Sequence, residues 1–72
     1  MNNGKSFWQH ENGRIYAVES DPFGKIIGGV GPLEPDNLHD LDQYDYKPSI
    51  KGWLEEAVAQ RKLRRINPAL CQ

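Results

Sequence analysis

The chain is short of the residues from which small secreted domains and small catalysts are built. It has one cysteine, Cys71, which leaves no internal disulfide and no cysteine metal cluster. Small secreted domains usually depend on such staples, so a reducing, cytoplasmic setting is expected. Serine is scarce too: Ser6, Ser20 and Ser49 are the only ones, and none sits in the strand–turn–helix elbow of a nucleophilic hydrolase. No apolar run approaches the roughly 20 residues that span a bilayer. The Met1-Asn2-Asn3-Gly4 start is polar, without the apolar stretch of a signal peptide, and no membrane partner is expected. Nine Lys and Arg against ten Asp and Glu give a net charge of −1. Attraction of the whole molecule to nucleic acid is therefore excluded, and any such affinity must come from a local patch.

Seventy-two residues make one small domain, 1–72, with tails expected at 1–6 and 68–72. Turn signals supply the organisation. Glu11-Asn12-Gly13-Arg14 and Asp21-Pro22-Phe23-Gly24 flank the strand-like run Ile15-Tyr16-Ala17-Val18. Asn12-Gly13 suits a two-residue type I′ hairpin, which places Glu11 opposite Arg14, Trp8 opposite Ala17 and Phe7 opposite Val18. Asp21-Pro22-Phe23-Gly24 suits a type I turn with a glycine bulge and puts Asp21 opposite Lys25. The third strand is then Lys25 to Val30, whose Gly28 and Gly29 imply a large group against bare backbone, with Trp53 or Tyr44 as candidates. On this register one face carries Phe7, Tyr16, Val18, Ile26 and Val30. The other carries Trp8, Ile15, Ala17 and Ile27, an apolar set on a face that ordinarily meets water.

Residues 31–47 read as an ordered acidic loop, with Glu34, Asp36, Asp40, Asp42 and Asp45 and with Leu33, Leu38 and Leu41 to pin it. From Pro48 to Ile66 the spacing of Ile50, Trp53, Leu54, Ala57 and Val58 predicts one amphipathic helix. Leu63 and Ile66 fall on its opposite side with Gly52 and Ala59, as a second, narrower seam. The expected fold is α+β: a three-stranded antiparallel β-meander packed against one C-terminal helix, in the order β-β-β-α.

Motifs for chemistry fail on inspection. His39-Asp40-Leu41-Asp42 with Asp45 is rich in oxygens, but Asp45 and Lys51 stand where a calcium loop needs Gly and Glu. The glycine-rich run from Gly24 to Gly31 has Lys25 after its first glycine, not its last, so it is no phosphate loop. No catalytic residue, metal or cofactor is assigned. The leading expectation is a non-catalytic interaction or adaptor protein, binding a protein partner or itself. Contacts would come from Trp8, Ile15 and Ile27 on the sheet, or from Leu63 and Ile66 on the helix. The alternative is nucleic-acid binding through Arg61, Lys62, Arg64 and Arg65, with Phe7, Trp8 and Tyr16 as stacking aromatics. Cations at a helix C-terminus also have a plain structural reading, since they favour the macrodipole.

Overall fold

Two tight reversals organise the first half of the chain, and a computed structural model describes residues 3–68 of the whole. Strands β1 (Gly4–His10), β2 (Ile15–Ser20) and β3 (Ile26–Leu33) form the expected antiparallel meander. A 3-10 turn at Pro48–Ile50 leads into helix α1 (Lys51–Ala59), and strand β4 (Leu63–Ile66) returns to pair with β1. The sheet order is β3-β2-β1-β4. The α+β meander with one C-terminal helix is thus present, with a fourth strand added at its edge. Gly4, Lys5 and Ser6 belong to β1 and not to a tail. Met1, Asn2 and the segment holding Ala69, Leu70 and Cys71 lie outside the described residues.

The first hairpin departs from the two-residue turn. The His10 N–H donates to Arg14 O and the Gly13 N–H to His10 O, both at 2.8 Å, and Gly13 alone takes a positive φ of 91°. This is a three-residue loop with a left-handed glycine. Asn12 serves instead through its side chain, whose Oδ1 accepts the Arg14 N–H at 2.9 Å. The register moves by one residue: Phe7 faces Ala17, Trp8 faces Tyr16 and Gln9 faces Ile15. Because side chains alternate across a strand, that slip exchanges Phe7 and Trp8 between the two faces. The second reversal keeps its expected form, with the Asp21 N–H donating to Lys25 O at 2.8 Å and Gly24 at φ 89°. An irregularity beyond it leaves Ile27 without a register partner and sets Ala17 opposite Val30.

Both faces of the sheet are covered. On one side Tyr16, Val18 and Ile26 pack with Leu54 and Ala57 of α1 and with Leu63, while Trp8, Ile50 and Val58 close the margin. Gly29 permits this approach: a Cβ there would lie 2.5 Å from Leu54 Cδ1 and 2.8 Å from Ala17 O. Leu54 and Ile50 fill the space expected for Trp53 or Tyr44, and the Lys47 main chain lies against Gly28. Lys47 also exchanges two backbone hydrogen bonds with Gly29, at 2.9 and 3.0 Å, which caps that edge of the sheet.

The acidic segment covers the other side. Leu38 is wholly buried against Phe7, Ile15 and Ala17, with Leu41, Tyr44 and Tyr46 around it. The Tyr46 hydroxyl donates to Leu41 O at 2.7 Å. Burial, reinforced by the negative charges of Glu19 and Asp42, pushes that phenol up to about 12. An ion pair joins Lys5 to Asp42 at 3.0 Å. Leu38→Ala should cost about 2–4 kcal/mol in urea unfolding, the price of a core leucine and not of a loop residue. A cost under about 0.5 kcal/mol, the range of an ordinary surface change, would mean the segment does not pack on the sheet.

Candidate nucleic-acid interface

The helix stops seven residues short of Ile66, and the manner of its ending builds the site. Gln60 closes α1, and the Arg61 N–H donates to Val58 O at 3.0 Å while the Lys62 N–H reaches back to Ala57 O at 2.8 Å. That pair of bonds is a Schellman closure, which needs a left-handed residue after the cap. Arg61 fills that position at φ 60°, the one described non-glycine residue with positive φ. The Lys62 carbonyl then accepts the Glu11 N–H at 2.8 Å, which fastens the start of β4 to the first hairpin loop.

The expected helical seam is therefore replaced by a strand. Leu63 points into the core beneath α1, only 4% exposed, and half-buried Ile66 packs on the opposite face beside Phe7. Ile15 is equally buried, while Trp8 and Ile27 are half-buried on different parts of the sheet. These five residues do not form one open surface. The sheet aromatics Phe7 and Tyr16 are buried too, and so offer no stacking platform. Among the described residues, the large apolar side chains that stay exposed are Phe23, at a turn tip, and Trp53, 46% exposed on α1.

Of the four candidate cations, three are brought together. Arg61, Lys62 and Arg64 line an open hollow of about 370 Å³ with Gln9, His10, Glu11 and Gly13. Arg65 lies across the strand, opposite Trp8, and lines a separate hollow with Lys5 and Leu41. No ion pair to any of the four forms among the described residues, even though Glu11 shares the hollow. His10 anchors the floor. Its Nδ1 accepts the Asn12 N–H at 3.1 Å, which in the neutral ring leaves the proton on Nε2. Asp42, held by Lys5, sits at the far end of β1. At about 3.3 Å per residue that is roughly 16 Å from His10, about two Debye lengths at physiological salt. Asp42 is thus too far to oppose the basic end, whereas Glu11 lines the hollow itself and Glu34 comes near Arg14 on the other side of the hairpin.

Trp53 borders this basic end. Its ring stacks on His10, with centroids 5.5 Å apart and planes 15° from parallel, and tilts against Tyr16 at 5.1 Å. The helical periodicity held the clue, since Trp53 lies at one margin of the apolar stripe. Among the described residues no cluster of three or more His, Cys, Asp or Glu forms a metal site, and no helix is long and apolar enough to cross a membrane. No family model, curated protein or solved structure matches the chain.

A left-handed arginine is strained relative to glycine. Arg61→Gly should raise stability by about 0.5–1 kcal/mol, read as a higher urea midpoint with an unchanged slope. A lower midpoint would show that the arginine side chain stabilises the turn by more than its backbone strain costs.

Proposed function

We propose that this protein is a small non-catalytic nucleic-acid-binding module that grips the phosphate backbone through Arg61, Lys62 and Arg64. The observation that carries the reading is the convergence of these three cations on one hollow that Glu11 alone lines with a carboxylate. Phosphate contacts supply affinity without sequence preference, which suits a rim of long, solvated side chains above a rigid turn. Arg65 contributes to the surrounding field from the neighbouring strand position. The single cysteine keeps a cytoplasmic setting as the matching expectation.

Fluorescence anisotropy with labelled single- and double-stranded oligonucleotides at 50 and 200 mM salt tests the reading. Three phosphate contacts predict an affinity loss of about 20-fold over that salt range for a single strand. Arg64→Gln should weaken binding and flatten the salt dependence by about one contact. Absence of binding at 50 mM salt, or binding indifferent to Arg64→Gln and Lys62→Gln, rejects it.

Protein contact is a second reading, and the edge position of β4 favours it. The Glu11–Lys62 bond sets the alternation, so the backbone groups of Leu63 and Arg65 point away from β1 and are available to an added strand. Self-pairing of two such edges brings Arg64 and Arg65 of both copies together, and like charges across strands repel. Light scattering across a concentration series should accordingly find a monomer. A concentration-dependent dimer would support self-association through this edge.

A further inference from the structure

We propose that the ligand is single-stranded and that one of its unpaired bases stacks on Trp53; this rests on the nucleic-acid reading above. Beside the cationic hollow lies a second one of about 280 Å³, lined by His10, Trp53, Glu56, Ala57, Gln60 and Lys62. The two share His10 and Lys62 as a common wall. One side of that wall gathers positive charge and the other presents an indole. A nucleotide has the same two halves, a phosphate and an aromatic base, joined at short range.

The indole is held for this task. His10 lies nearly parallel to it and Tyr16 wedges against it, yet 46% of Trp53 remains exposed. A core tryptophan would be covered, and a solvent-swept one would lack the fixed neighbours. Stacking on a ring already oriented loses little side-chain freedom, and every base has a π-face, so the contact tolerates sequence. Duplex bases are stacked on one another and cannot offer a face to Trp53 while their phosphates reach Lys62. An unstacked nucleotide can.

The one acid at this rim orients the ligand. Glu56 lines the Trp53 hollow, and its Oε1 accepts from Gln60 Nε2 at 3.1 Å. A carboxylate there repels phosphate but accepts hydrogen bonds from base amino groups. The base therefore belongs on Trp53, and the backbone belongs on Arg61, Lys62 and Arg64.

The test measures anisotropy of a labelled eight-nucleotide single strand and of a blunt duplex of the same sequence, at 50 mM salt. Wild-type protein should bind the single strand about tenfold more tightly. Trp53→Ala should weaken single-strand binding by about 10- to 100-fold and leave the salt dependence and the duplex affinity in place. Trp53→Phe, which keeps a stacking face, should restore most of the loss. Circular dichroism melts of both variants confirm that they fold, and quenching of wild-type tryptophan emission by the single strand supplies a readout independent of mutation. Salt-sensitive binding of both ligands that ignores Trp53→Ala, or that Trp53→Ala weakens equally, overturns the stacking proposal and leaves the phosphate reading intact. No binding of either ligand to wild-type protein removes both.

Discussion

The main chain of Lys62 is the point through which the second half of the molecule is tied to the first. Its N–H ends α1 on Ala57 O, and its carbonyl takes the Glu11 N–H from the hairpin loop. Both groups are satisfied within one residue, and the direction of the chain changes from helix to strand between them. Three consequences follow from that geometry. β4 is aimed along β1, Leu63 is turned into the core, and Arg61, Lys62 and Arg64 are gathered beside His10. A helix continued to Ile66 would have carried these cations along its axis at 1.5 Å per residue and distributed them around it. The left-handed Arg61 is the local cost of the reversal, and strained residues of this kind gather where a surface is used.

The sheet itself is a shared floor for two different covers. α1 lies on the face of Tyr16 and Val18, close enough that position 29 tolerates only glycine. The acidic segment lies on the face of Phe7, Ile15 and Ala17, pinned by Leu38 and the tyrosines. Burying both faces lets a chain of this size assemble enough apolar contact without disulfides. It also segregates charge: Lys5 and Asp42 neutralise one another at one end of β1, and the cations collect at the other. The polarity of the surface is thus a by-product of how the core was closed.

Much of this was legible in the residues, and each failure has an identifiable cause. The Asp21-Pro22-Phe23-Gly24 reversal was readable because proline and glycine restrict the backbone directly. Asn12-Gly13 announced a turn but not its length, since Asn12 has two uses: a left-handed backbone or a side-chain acceptor. The neighbouring backbone N–H groups chose the second. At Leu63-Arg64-Arg65-Ile66 the pattern fits a helix or a strand equally well. Pairing with β1, adjacent in the sheet but more than fifty residues away in sequence, decided for the strand. The basic residues of the site were evident as a run, whereas Trp53 was assigned to the buried stripe because periodicity cannot say how far α1 rolls on the sheet.

From its residues alone the chain determined local matters: where it reverses, which segment is helical, which side chains are apolar and where like charges cluster. These depend on φ preferences and on spacing within a few residues, and both are written in the order of the amino acids. Only the tertiary structure decided which apolar face would be covered and by what, where the helix would stop, and which cations would gather in a hollow beside an exposed indole. Those outcomes depend on hydrogen bonds and packing between segments distant in the chain, whose energies no local pattern contains.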